Sequence, residues 1–253
     1  MAPLSWALPY DNVGLQIGEE QDTVNRVLLS LDASDEAISE AVEGKYDLLI
    51  THHPLLFHPI NRLTSADPVT RRALCLWENR VSLISMHTNL DAARGGVNDC
   101  LAAALGLHDV SDFENEDARE GIPSIGRIGY VQPVDGEAFA AAVVNNLRAN
   151  GARFVLSGKP CHKIAVGGGA CADYVDAAYA AGCDTLVTAD VKYKHFNRAM
   201  DIGINLIDAG HYATEYVVIE PLAAKLRKAF PDVEFTVSRT ACDPVQVISN
   251  ERI

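Results

Sequence analysis

Residues 24–54 read VNRVLLSLDASDEAISEAVEGKYDLLITHHP, and this stretch decides the fold. Val24 to Leu31 is an apolar, β-branched run of strand length. Ser34 stands where a helix N-cap belongs, Asp35 and Glu36 fill a first turn in which acids favour the helix dipole, and Gly44 ends the pattern. Tyr46 to Thr51 is a second strand. Downstream, Asp67 and Pro68 form a cap and first-turn pair for a helix to about Arg80, Val81 to Met86 is a third strand, and Gly96 to Leu105 a third helix. Strand, helix, strand, helix, strand is the signature of a parallel sheet, so the predicted class is α/β.

The alternation halts between His108 and Pro123, where Asp109, Asp112, Glu114, Glu116, Asp117 and Glu120 crowd together. This stretch reads as a solvated connection between two α/β lobes, residues 1–118 and 119–253, with a long surface loop as the alternative. Beyond it come a strand (Arg127 to Gln132), a helix (Gly136 to Ala149), strands (Arg153 to Leu156, Lys163 to Gly167) and a helix (Ala170 to Ala181). A strand from Thr185 to Thr188, a helix from Lys192 to Asp201 and a strand from Ile204 to Asp208 precede a long helix from His211, which Pro221 should kink or interrupt. Val233 to Val237 and Val245 to Ile248 are predicted as closing strands.

With 253 residues, 48% hydrophobic and 22% charged, the chain is of globular composition. No apolar run approaches the roughly 20 residues of a membrane span, and the opening MAPLSWALPYDN lacks a basic n-region, so a cytoplasmic protein is expected. Six cysteines without a CxxC pair read as buried, reduced thiols. A net charge of −13 repels a nucleic-acid backbone, so neither membrane nor nucleic acid is an expected partner.

Three segments begin where predicted strands end: Thr51-His52-His53-Pro54, His87-Thr88-Asn89-Leu90-Asp91 and Gly210-His211-Tyr212-Ala213-Thr214-Glu215. Ligands of open α/β sheets bind outside the carboxyl ends of the strands, which allows the three to meet. Imidazole with carboxylate suits zinc, iron or manganese better than calcium or magnesium. Glu215 follows His211 by four residues, so one helix face presents both; Asp91 stands in the same relation to His87. Neighbouring strand residues diverge, yet His52 and His53 at a strand end before Pro54 could address two adjacent ions. Five candidate ligands, His52, His53, Asp91, His211 and Glu215, exceed what one catalytic zinc requires and predict two divalent ions. Two ions with two carboxylates leave about +2 of local charge, an attraction for an anionic substrate such as a nucleotide, and ions with open positions lower the pKa of water.

Blander readings compete. An isolated HH dipeptide is more often surface than ligand, and HxxxD or HxxxE spacing recurs on ordinary helix surfaces. His87 is the candidate for orienting a ligand rather than being one; His58, His108, His162 and His195 are scattered. Val166 to Ala170 (VGGGA) is either a phosphate-holding turn or a plain tight turn, and Thr188 to His195 (TADVKYKH) either lines the same cleft or starts a capped helix. There is no GxSxG elbow.

Taken in order, the DNVGLQ run from Asp11 to Gln16, the HHP and HTNLD segments, VGGGA, TADVKY and IDAGHYATE resemble the YbgI-type dinuclear metal-centre family, the hexamer-forming GTP cyclohydrolase I type 2 homologues. The resemblance covers nearly the whole chain, in the family's short form without an inserted middle domain. It implies two α/β lobes with two metals in the cleft between them, held by the residues matching His52, His53, Asp91, His211 and Glu215, and a homohexameric ring. It also implies a hydrolase that converts GTP and water to dihydroneopterin triphosphate and formate; a phosphoester or nucleotide hydrolase, or a non-enzymatic metal-handling or partner-binding ring, are the alternatives. Two departures stand out: only ten residues precede Asp11, where the family has a further helix, and its TGD motif is here Thr188-Ala189-Asp190.

Overall fold

The computed structural model describes residues 1–248. Two compact units form, the first from Met1–Gly96 and Val218–Cys242, the second from Val97–Val217 with the segment that begins at Asp243. The division therefore differs from the expected boundary at residue 118.

Unit 1 opens with a 3-10 turn, Leu4–Trp6, followed by β1 (Gly14–Ile17), β2 (Arg26–Ser30), α1 (Asp35–Glu43), β3 (Leu48–Thr51), α2 (Pro68–Glu78), β4 (Ser82–Ser85) and the short α3 (Thr88–Ala92). The capping signals behave as the sequence predicts: Ser34 Oγ accepts from Ala37 N at 3.2 Å and Asp67 Oδ1 from Thr70 N at 3.0 Å. Gly44 does end α1, but the left-handed residue is Lys45 (φ 54°); glycine serves at 44 because a Cβ there would lie 2.5 Å from the Tyr46 ring.

Unit 2 contains α4 (Val97–Ala104), β5 (His108–Ser111), β6 (Arg127–Val134), α5 (Gly136–Leu147), β7 (Arg153–Val155), β8 (Cys161–Val166), α6 (Val175–Ala180), β9 (Thr185–Thr188), α7 (Tyr193–Ile202), β10 (Asn205–Asp208) and α8 (His211–Tyr216). The chain then supplies unit 1 with α9 (Ile219–Ala229) and β11 (Glu234–Val237).

The sheet of unit 1 has the order β1-β4-β3-β2-β11, with β1 antiparallel to β4 and the other pairs parallel. Leu28, Leu49 and Leu83 from its three inner strands pack with Ile38 and Ala41 of α1 and Ala73 and Leu76 of α2. β2 and β3 are buried almost throughout, which is why they read as unbroken apolar runs. The sheet of unit 2 has the order β5-β6-β8-β9-β10-β7, parallel at β8-β9-β10 and antiparallel elsewhere. Its core joins Ile164, Val166, Val187 and Ile207 to Leu101 of α4 and to Phe139 and Val143 of α5.

Four expectations need correction. The acidic stretch is not a connection between units: β5 pairs with β6 inside unit 2, Asp112 takes the fully buried Arg127 guanidinium at 3.2 Å, and Asp117 accepts from Tyr174 Oη at 2.5 Å. Pro221 does not break a helix, because it sits in the first turn of α9, where its missing N–H costs nothing; the interruption falls at Val217 and Val218. Val245 to Ile248 form no strand and instead lie as irregular chain, with Asn150 Nδ2 donating to Val245 O at 2.6 Å. The six cysteines are free as expected, but Cys161 and Cys183 alone are buried and Cys242 is exposed. Burial pushes the Cys183 thiol up to about 11, which makes it inert at neutral pH.

Candidate metal centre

In unit 1, β3 ends at Thr51 and the chain turns so sharply that the amides of His52 and His53 both donate to Leu31 O, at 3.1 and 3.0 Å. The two imidazoles consequently do not diverge as strand neighbours would; their ring centroids are 4.9 Å apart. β4 ends at Ser85 and His87 caps α3, placing its ring 5.2 Å from His52 and 5.6 Å from His53. One nitrogen from each of His52, His53 and His87 lies within 4.8 Å of the others, a group that could hold a metal ion. Asp91, one turn into α3 and buried, brings Oδ1 to 3.6 Å from His52 Nε2.

The hydrogen bonds behind these rings fix their tautomers. His52 Nδ1 donates to Met86 O at 2.7 Å, and a carbonyl can only accept, so Nδ1 carries the proton and Nε2 a lone pair. His53 Nδ1 donates to Asp32 Oδ1 at 2.7 Å and His87 Nδ1 to Asp11 Oδ1 at 2.8 Å, so in the neutral form of each ring it is Nε2 that carries the lone pair. Burial alone would raise the Asp11 pKa, but hydrogen bonds from His87 and Thr88 hold it down at about 2, so this carboxylate is ionised. The DNVGLQ run is thereby explained. Asp11 accepts from Asn12 N, His87 Nδ1, Thr88 N and Thr88 Oγ1, while Asn12 Nδ2 donates to Leu56 O and Gln16 Oε1 accepts from Leu56 N at 3.0 Å.

Unit 2 repeats the device. His211 opens α8, and its Nδ1 donates to Asp190 Oδ2 at 2.8 Å, so in the neutral ring the lone pair is on Nε2, 3.1 Å from Glu215 Oε2. Glu215 is 3% exposed. A lone pair held against a carboxylate oxygen at that distance repels unless a cation or proton lies between them. Two of the three glycines after β8 make room for Glu215: a Cβ on Gly168 would lie 3.4 Å from its Cγ, and one on Gly169, whose φ is +67°, would stand 2.2 Å from Glu215 Oε1. Their amides are already used, by Val187 O, Asn98 Oδ1 and Thr214 Oγ1, so VGGGA is not a phosphate cradle. In TADVKYKH it is Asp190, at φ 52°, that adopts the left-handed conformation, whereas Ala189 has no such demand, so alanine for glycine there carries no backbone strain.

The sequence candidates thus gather as His52, His53 and Asp91 in unit 1, with His87 in the same cluster, and as His211 and Glu215 in unit 2. Nothing local in the sequence marks Asp11, Asp32 and Asp190 as holders of these rings, although they lie in DNVGLQ, directly after the first predicted strand and in TADVKY. The remaining histidines stand elsewhere: His58 and His108 are exposed, His162 Nδ1 meets Val131 O, and His195 is held by Asp173 at 3.0 Å. Imidazole nitrogens beside carboxylates, each ring oriented from behind by an acceptor, form a donor set that could hold a metal ion.

The comparisons with known proteins agree with this architecture. The GTP cyclohydrolase 1 type 2 homolog of Clostridium perfringens is 31% identical over 98% of this chain and 95% of its own length. The protein of the same name from Streptomyces coelicolor is 33% identical, covering 96% and 88%. Among solved structures, hypothetical protein SA1388 of Staphylococcus aureus superposes with a TM-score of 0.90 at 31% identity over 98% of this chain and 95% of that one. Reduced HcgD of Methanocaldococcus jannaschii gives 0.78 at 27%, covering 93% and 92%. The family model for Duf34/NIF3 (NGG1p interacting factor 3) matches residues 1–244, and with two α/β sheets and relatives aligned end to end, the chain belongs to the Duf34/NIF3 family.

Proposed function

We propose that the two half-sites act together as a dinuclear metal centre, in which His52, His53, Asp91, His211 and Glu215 hold two divalent ions, and that the protein is a hydrolase acting on a nucleotide such as GTP. One observation supports this above the others: imidazoles in both units are locked with Nε2 lone pairs outward and a buried carboxylate beside them. Zinc, iron or manganese bound there would supply Lewis acidity and lower the pKa of water. The chain's own part is positional. Asp32 and Asp190 keep the Nδ1 protons of His53 and His211 in place, and Gly169 leaves Glu215 its room. In the GTP version, two waters cleave the bonds from purine C8 to N9 and N7, the carbon leaves as formate, and the ribose carbons rearrange and close onto N7 with loss of one water, giving dihydroneopterin triphosphate; the names of the relatives support this version.

The test is to load purified protein with zinc, iron or manganese and assay it with GTP, reading formate and pterin fluorescence, and with a chromogenic phosphodiester. Formate release supports the GTP version, and diester cleavage alone moves the reading to phosphoester hydrolysis. Turnover of neither, with tight reversible metal uptake, makes the protein a metal-handling module. In each case Glu215→Ala should reduce metal content to one ion or none.

A further inference from the structure

Beside the imidazole cluster of unit 1 stands an aromatic corner that the metal centre does not use. Tyr10 immediately precedes Asp11 and is 65% exposed. Its ring meets that of Phe57 with centroids 6.5 Å apart and planes at 72°, and Phe57 in turn meets His87 at 6.1 Å and 82°. Two ring planes near a right angle form a seat in which a flat ligand can stack on one face and abut the edge of the other.

This corner is rigidly built although its rings are not spent on the core. Leu55 and Leu56 pack into the core cluster, and Phe57 after them is half-buried, its ring also meeting that of His58 at 4.9 Å. The backbone of Leu56 is gripped on both sides by Asn12 and Gln16, and Gln16 Nε2 donates to Asn12 O at 2.8 Å. Tyr10 is anchored from the other end, since Asp11 binds His87 and Thr88, and Leu8 N donates to Thr88 Oγ1 at 2.8 Å. The same DNVGLQ run that orients His87 therefore also holds the backbone next to Tyr10 and Phe57, with Phe57 against His87 and Tyr10 against Phe57.

We infer that Tyr10 and Phe57 form the ring subsite of the enzyme, seating the heteroaromatic base of a purine nucleotide next to His87. This rests on the nucleotide-hydrolase reading and narrows it, because a base stacked there brings the ring itself to the imidazole cluster, as ring opening requires and diester cleavage does not.

The experiment titrates metal-loaded full-length protein calorimetrically with GTP and with inorganic triphosphate, for the wild type, Tyr10→Ala and Tyr10→Phe. Wild type should bind GTP at least about ten-fold more tightly than triphosphate, the scale of one base–aromatic stack. Tyr10→Ala should lose about that factor for GTP and none for triphosphate; Tyr10→Phe should retain it, with metal content equal in all three. Equal binding of the two ligands by wild type, no binding of either, or unchanged GTP affinity in Tyr10→Ala would each overturn the inference. Ring-selective binding without turnover would leave this subsite standing and remove the hydrolase. Formate release with an unaltered KM in Tyr10→Ala would do the reverse.

Discussion

Replacing Asp11 by asparagine keeps the size of the side chain and reverses half of its hydrogen-bonding. The carboxylate accepts from four donors, Asn12 N and His87 Nδ1 on one oxygen and Thr88 N and Oγ1 on the other. An amide has one oxygen, so one pair must face an NH2 group. Thr88 is 5% exposed, and stranding its N–H costs about 1–3 kcal/mol, whereas Asn12 is exposed and its N–H can turn to water. The cheaper arrangement points the NH2 at His87, which then accepts at Nδ1 and carries its proton on Nε2, inside the group of three imidazoles. Asp11→Asn should therefore lose only about 1 kcal/mol of stability, roughly 2–4 °C in melting temperature for a chain of this size. His87 is not itself one of the five proposed ligands, but its Nε2 proton would then lie among the rings of His52 and His53, 5.2 and 5.6 Å away, so metal affinity should fall by about 10-fold, the lower end of what a change behind a metal site costs. Competition with a chelator reads the affinity and nitrogen NMR of the imidazoles reads the tautomer. Wild-type metal affinity with the His87 proton still on Nδ1 would refute the reasoning.

Other outcomes follow from the same geometry. Gly169→Ala places a Cβ 2.2 Å from Glu215 Oε1 at φ +67°, so it should cost about 1–2 kcal/mol in a thermal melt and weaken metal binding as well; a loss of stability without any change in metal affinity would separate Gly169 from the site. Glu40 accepts from Ser238 Oγ at 2.6 Å and Thr240 Oγ1 at 2.8 Å. Burial raises its pKa, but these and two backbone donors outweigh that and set it below its ordinary 4.5. The stabilisation is thus full above that value and lost as pH falls through the depressed one, so Glu40→Gln should cost about 1–2 kcal/mol at neutral pH and progressively less as the pH is lowered below the ordinary carboxylate range in chemical denaturation. His58→Ala should leave metal content unchanged by elemental analysis, since His58 is exposed and touches the ring of Phe57 rather than the cluster; a loss of metal would place the ligands wrongly.

What could be read from the sequence was what neighbouring residues decide. Ser34 and Asp67 cap helices through bonds to residues three positions away, and the buried strands β2 and β3 announce themselves as apolar runs. The three histidine-bearing segments, two of them with a carboxylate, are legible because each lies just after a strand. Elements set by distant partners were not. β1 is four residues with Gly14 at φ 95°, paired to β4 some seventy positions later, and β5 is exposed along its whole length, so neither carries an apolar pattern. Asp11 meets His87 across 76 positions, and nothing local marks it as the group that fixes a tautomer. Pro221 was misjudged because a proline in the first turn of a helix and one in its middle look alike until the helix start is known.

Anomalous diffraction from crystals of the zinc- or manganese-loaded protein tests the central claim most directly. Two peaks are predicted, each about 2.0–2.2 Å from Nε2 atoms of His52, His53 or His211 and from carboxylate oxygens of Asp91 or Glu215. Absence of any peak at these residues, or a metal bound through Nδ1 with Asp32 and Asp190 displaced, would contradict the account.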